Sequence, residues 1–180
     1  EIKIIVAHPG KQHSFRVAKA LNEAGLLDKY ITTVYNKQGS LTALLGKLAG
    51  GKLRNKISSR RTNDIDDTQV VQICEVRGLI GLFLTKIPYL HKRWPWWNAY
   101  LNDCYGRKVA KYAIKHNVDA VIGYDGNSTV LFEILKEKAP QITRILDVSI
   151  INRKFMRDQF DKDIEVLGCD EIKKEYPLIW

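Results

Sequence analysis

Between positions 3 and 35 the chain spells out a strand, a loop, a helix and a second strand, an order that few folds accommodate. Residues 3–7, Lys-Ile-Ile-Val-Ala, are a short apolar run with a β-branched centre, the pattern of a strand buried on both faces. His8-Pro9-Gly10-Lys11-Gln12-His13 follows as a loop punctuated by Pro-Gly. Ser14 is placed to cap a helix carrying Phe15, Ala18, Leu21 and Leu26, with Gly25 as its stop. Residues 30–35 read as the next strand from their β-branched content. A strand that returns parallel to its predecessor needs a crossover, so this stretch predicts a βαβ unit.

The last third repeats the alternation. Residues 119–124 and 143–148 read as strands, 129–138 and 152–160 as helices, and Asp-Gly-Asn-Ser at 125–128 as a turn that can start a helix. The middle is less regular. A short helix is expected over 41–48, a break at Gly50-Gly51, a basic loop through Lys-Leu-Arg-Asn-Lys and Ser-Arg-Arg, and a third strand over 70–76. An apolar stretch at 78–90 leads to Trp94-Pro-Trp96-Trp97, and 97–116 reads as a long helix. No internal repeat is present. The expected fold class is α/β: a doubly wound, mostly parallel sheet flanked by helices, Rossmann-like, in a single domain over 1–180.

Composition removes several classes. At 180 residues, 45% hydrophobic and 27% charged, the chain is an ordinary globular one rather than a disordered one. No window reaches the ~18–20 consecutive apolar residues of a membrane-spanning helix. The opening EIKIIVAHPG has neither the basic nor the long apolar stretch of a secretory signal. Cys74, Cys104 and Cys169 are odd in number and widely spaced, which reads as reduced thiols in a cytoplasmic protein rather than a disulfide framework. No metal site is expected. Neither a G-x-G-x-x-G fingerprint nor a P-loop is present. The net charge of +9 is localised: residues 36–116 hold 15 Lys and Arg against 5 Asp and Glu, while the rest holds 14 against 15. Such a surplus attracts an anionic surface.

In a doubly wound sheet ligands bind beyond the carboxyl ends of the strands, where the strand order reverses. The two loops with chemistry at such positions are 8–13 and 124–128. Gly10 admits close approach of a phosphate, Lys11 adds charge, and His13 can donate a hydrogen bond or carry a proton. Asp125 is a carboxylate able to orient a hydroxyl or accept its proton, which makes it the catalytic candidate, with Tyr124 and Asn127 beside it as binding residues. Either loop alone is common turn chemistry; their meeting at one sheet edge would make a site. Lys92, Arg93, Trp94, Trp96 and Trp97 combine cations with interfacial aromatics and are the candidates for docking on an anionic membrane.

Gly10, His13, Ala18, Leu21 and Gly25 match the spacing G-x-x-H-x4-A-x2-L-x3-G. In this the chain resembles the N-terminal domain of the family 4 retaining glycosyltransferases, which have the GT-B fold. Residues 118–125 fit that family's fourth strand, with Ile122 and Tyr124 where its histidines stand, and Arg144 to Ser149 resembles the next strand and loop. Ile-Val-Ala-His-Pro at 5–9 also resembles the opening of zinc-dependent sugar N-deacetylases. Those continue Asp-Asp-Glu, and Gly10-Lys11-Gln12 here supplies no such ligand.

The glycosyltransferase resemblance implies an acceptor-binding domain whose nucleotide-sugar-binding C-terminal partner lies outside this chain, so that this half would be inactive alone. It places Gly10 and Lys11 near the donor diphosphate and His13, Tyr124, Asp125 and Asn127 near the acceptor or transferred sugar. The implied reaction moves a sugar from a nucleotide-sugar donor to a lipid-linked or polysaccharide acceptor in cell-envelope or exopolysaccharide synthesis. It would occur in the cytoplasm, peripherally on the inner face of the membrane. No cofactor is expected in this domain and no nucleic acid as partner. The alternatives are a basic α/β module that binds nucleic acid or another polyanion without catalysis, and a self-sufficient flavodoxin-like binding domain. Against the first, the aromatics cluster instead of interleaving with Lys and Arg.

Overall fold

The computed structural model describes residues 2–11, 13–48, 50–148 and 153–168. The chain divides into two compact units, Glu1–Asp147 and Val148–Trp180. The first holds β1 (Ile4–Ala7), α1 (Ser14–Glu23), β2 (Leu27–Thr32), α2 (Leu41–Leu48), α3 (Gly51–Ser58), β3 (Val70–Gln72), α4 (Glu75–Leu84), α5 (Pro88–His91), α6 (Trp94–Lys115), β4 (Ala120–Tyr124), α7 (Thr129–Lys138) and β5 (Thr143–Asp147). The described part of the second includes α8 (Arg153–Leu167), longer than the helix expected over 152–160. The C-terminal residues 169–180, Cys169 among them, lie outside the described residues.

All five strands pair in parallel, in the order β3-β2-β1-β4-β5, and helices pack on both faces, which is the expected α/β, Rossmann-like architecture. Alternate residues feed separate cores because successive side chains in a strand point to opposite faces. Ile5, Ala7, Ile31 and Val121 meet Tyr105, Val109 and Ala113 of α6 and Leu131 and Leu135 of α7. Val6, Tyr30, Ile122 and Tyr124 lie in the second core with Ala18 of α1 and Tyr35. The apolar centres of β1 and β4 are apolar because each strand is covered twice. β4 is buried at every position, whereas β5, an edge strand, exposes Ile145 and Leu146.

Local chemistry explains most element ends. Gly25, at φ +68°, closes α1: its N–H bonds the carbonyl of Asn22, and Leu26 N–H bonds that of Leu21 at 2.8 Å. This is the two-bond glycine stop of a helix. Several expectations shift, among them the second strand, expected over 30–35 and found over Leu27–Thr32. His13, not Ser14, holds the N-cap position of α1, because the Ser14 hydroxyl is already engaged with the Lys11 carbonyl and Tyr30. The basic stretch after Gly50 is helix α3 rather than loop, since Lys, Leu and Arg are good helix formers once Gly50 breaks α2 from it. The strand expected over 70–76 stops at Gln72, where Cys74 turns the chain at φ 61° into α4.

Tyr105 ties α6 to the sheet. Its hydroxyl donates to the carbonyl of Ile31 at 2.6 Å, an oxygen that also accepts the backbone N–H of His8. Tyr105→Phe therefore leaves that carbonyl paired and is expected to cost about 1 kcal/mol, the ordinary net worth of one buried hydrogen bond. Chemical denaturation would measure it. A loss several times larger would mean that the hydroxyl also sets the packing of α6.

Candidate functional site

β1 leads through its helix to β2 on one side, and β4 leads to β5 on the other, so the loops after these two neighbouring strands diverge and leave a crevice. The first loop is fixed from below by hydroxyls. Thr33 Oγ1 donates to the Pro9 carbonyl at 2.5 Å, and Tyr30 and Thr32 reach the Gly10 carbonyl, each at 3.4 Å. The second is set by Ser128, whose Oγ accepts the Tyr124 N–H at 2.7 Å and folds residues 125–127 back over the strand end.

Between them lies a cavity of about 370 Å³, lined among others by His8, Gly10, Arg60, Trp94, Asn98 and Asn127. His8 is buried, and its Nδ1 accepts the Gly10 N–H at 2.8 Å. That bond assigns the ring proton of neutral imidazole to Nε2, which lies 3.4 Å from the Asn127 amide. The amide then meets the ring best with its oxygen turned towards Nε2–H. His8 so disposed brings its Nε2–H to the cavity wall, where it is shared with the Asn127 amide at 3.4 Å. Arg60 is half-buried, and burial pulls its pKa down. Among the described residues no carboxylate forms an ion pair with it. A partly desolvated cation without a counter-ion is costly, and an anionic ligand would remove that cost.

The residues marked by sequence separate into two groups. Gly10 and Asn127 line the cavity. Lys11 and His13 are exposed at the start of α1 and do not line it. Asp125 is half-buried in the second loop, held by its backbone N–H to the Asp147 carbonyl at 3.3 Å, and also lies off the cavity lining. Tyr124 is fully buried beneath, edge-on to the His8 ring at 4.9 Å. Its hydroxyl finds no hydrogen-bond partner among the described residues. Burial, helped by the charge of Asp147, pushes its pKa well above the usual value.

The tryptophans also part company. Trp94 packs on Gly81 and lines the cavity. Trp97 is half-buried, with its indole N–H donating to the Arg77 carbonyl at 3.0 Å. Trp96 is 70% exposed and stacks on Tyr100 with rings 9° from parallel, while Lys92 and Arg93 are exposed.

Sequence reasoning missed His8, Arg60 and Asn98. His8 had a signal, being the first residue beyond the first strand. Arg60 follows the end of α3 and Asn98 lies in α6, and no local spacing announces them. Among the described residues no cluster of His, Cys, Asp and Glu is placed to hold a metal ion, and no helix is long and apolar enough to cross a membrane. No protein-family model matches the chain, and no curated protein matches it.

Proposed function

We propose that the chain is the acceptor-binding half of a glycosyltransferase. It holds a lipid-linked or polysaccharide acceptor while a sugar arrives from a nucleotide-sugar donor carried by a C-terminal domain. The observation that carries this reading is the chemistry of the crevice at the strand-order reversal. Amides and an imidazole N–H suit sugar hydroxyls, and Arg60, which forms no ion pair among the described residues, suits the phosphate of a sugar diphosphate. Gly10 lets a ligand approach the backbone, Asn127 and His8 orient hydroxyls, and Arg60 neutralises phosphate. Asp125, two residues before Asn127 and just off the cavity lining, takes the proton of an attacking hydroxyl that projects out of the crevice towards the second loop, with Lys11 and His13 at the exposed rim of the first loop. Tyr124 acts from beneath by fixing the His8 ring. The work is done at the cytoplasmic face of an anionic membrane in cell-envelope or exopolysaccharide synthesis. The basic segment 36–116 supports that placement.

The test is calorimetric binding of a short-chain prenyl diphosphate sugar. The chain is expected to bind it, and Asn127→Ala and Arg60→Gln are each expected to weaken binding by about tenfold or more, as for loss of one ligand hydrogen bond, charged in the second case. No binding to sugar diphosphates or glycans, with oligonucleotide binding that falls steeply as salt rises, would replace the proposal with a polyanion-binding module.

A further inference from the structure

Two neighbouring helices of the first unit are turned inside out. In α2 the leucines at 41, 44, 45 and 48 fall on one helical face, and all four are exposed, Leu48 to 76%. The residue this helix buries is polar: Thr42, whose N–H and hydroxyl both donate to one carboxylate oxygen of Glu75, at 2.7 and 2.6 Å. In α4, Val76, Ile80 and Phe83 share a face and are exposed, Phe83 to 61%, while Gly78 and Gly81 face the protein. Their glycine side is closed, since a Cβ on Gly78 would stand 2.5 Å from Thr33 Oγ1 and one on Gly81 2.9 Å from a Trp94 ring atom. A surface helix ordinarily buries its apolar stripe and shows water its polar one. Here α2 and α4 pack against each other and both show the apolar stripe. Exposed apolar stripes on two helices in contact mark an interaction site.

Charge identifies the occupant. Residues 41–58 and 76–102 contain no Asp or Glu at all, and of their Lys and Arg residues Lys47, Arg54, Lys86, Lys92 and Arg93 are exposed. Exposed Trp96 and Tyr89 lie on the adjoining α6 and α5. A second copy of the chain would bring the same cations against this face and be repelled. An anionic bilayer supplies both things the face lacks, an apolar layer for the leucines and negative headgroups for the cations, with aromatics suited to the boundary.

We propose that the α2–α4 face is a membrane-insertion plate that seats the protein on an anionic bilayer by burying Leu44, Leu48, Ile80 and Phe83 among the headgroups and upper acyl chains. This rests on the membrane placement proposed above and on none of its sugar chemistry. It relocates the anchor from the tryptophan motif, two of whose members turn inward, to leucines that the motif does not contain.

The experiment is co-sedimentation with phosphatidylcholine vesicles, with and without phosphatidylglycerol, at low and high salt. The variants are Leu44→Gln/Leu48→Gln and Phe83→Gln. These side chains are exposed, so the fold is expected to survive, and near-ultraviolet circular dichroism checks it. Gln adds no charge, so lost binding reports lost insertion rather than new repulsion. The wild type should bind the anionic vesicles with retention that outlasts moderate salt, and the double variant should bind about tenfold or more weakly. Wild-type protein that fails to sediment with any vesicle would overturn both the plate and the membrane placement. Variants that bind as the wild type does would overturn the plate alone and return the anchor to Lys92, Arg93 and Trp96. A wild-type dimer in sedimentation velocity that the Gln variants dissolve would make the face a contact between copies and would also overturn the proposal. Binding of the prenyl diphosphate sugar should be the same in wild type and variants, which separates this test from that of the crevice.

Discussion

Raising the pH beyond about 10 is expected to unfold the protein in one cooperative step, with tyrosinate absorbance appearing in that same step. Of the eight tyrosines, Tyr30, Tyr35, Tyr105 and Tyr124 are essentially inaccessible to water, and Tyr30, Tyr105 and Tyr124 carry the largest rises in pKa. Burial is the first cause that raises each of their pKa values above the ordinary 10.0. Ser14 and Thr32 partly offset it at Tyr30 by hydrogen bonding, and the Asp147 charge adds to it at Tyr124. The sign follows from which state releases the proton first. The unfolded chain ionises these phenols near 10 and the folded chain holds them neutral, so their contribution is intact below 10 and is lost as the pH climbs towards the folded values. Each group costs about 1.4 kcal/mol per pH unit in that window, and three together cost roughly 4. A domain of ordinary stability, ~5–15 kcal/mol, loses that margin within a few units. The measurement is tyrosinate absorbance and far-ultraviolet circular dichroism followed together. Three phenols that titrate smoothly while the helix signal persists would show that water reaches them. Tyr124→Phe sharpens the test: its hydroxyl has no hydrogen-bond partner among the described residues, so the variant should be neutral near pH 7 and should unfold at higher pH than the wild type.

Those same tyrosines show where sequence reading reaches its limit. The parallel sheet was legible because burial on both faces demands unbroken apolar strands, and Ile4–Ala7 and Ala120–Tyr124 supply them. Helices α2 and α7 were legible residue by residue, since leucine spacing and the Asp-Gly-Asn-Ser turn bound them locally. The boundary of β2 was not. Its first residues, Leu27-Asp28-Lys29, carry charges that a buried strand would not, and they are tolerated because Asp28 and Lys29 are only half-buried, with Lys29 Nζ donating to the Thr68 carbonyl. The inversion of α2 was equally illegible: a leucine stripe reads the same whether it faces a core or a bilayer, and the buried Thr42–Glu75 bond that decides it spans 33 positions. At the site, Gly10 and Asn127 were found because loops after strands declare themselves by turn residues. Arg60 was hidden because its role depends on where α3 ends in space, not on its neighbours in sequence.

Gly123→Ala is expected to destabilise the protein by about 2–3 kcal/mol and to lower its melting temperature by roughly 5–10 °C. Gly123 sits in β4, the strand between β1 and β5, beneath the turn that carries Asp125 and Asn127. A Cβ there would overlap the hydroxyl of Ser128 and lie 2.8 Å from its Cβ and 3.0 Å from the Phe132 ring. Ser128 cannot swing aside at no cost, because its Oγ holds the Tyr124 N–H. Either that bond breaks, leaving a buried donor unpaired, or α7 retreats from the sheet. Gly126→Ala in the same turn makes the contrast. Its φ of +76° strains any other residue, but nothing lies within 4 Å of its Cβ, so only the backbone cost of about 1–2 kcal/mol applies. The two should also differ in their effect on the crevice, since displacing Ser128 moves the strand end from which Asn127 projects. Thermal melts and prenyl diphosphate sugar binding, measured on both variants, check this. The decisive arm is Gly123→Ala with Ser128→Gly. Removing the opposing side chain should recover about 1 kcal/mol relative to the sum of the single losses, the coupling expected of two groups that clash directly. Strictly additive losses would mean that the glycine is needed for something other than the room Ser128 takes.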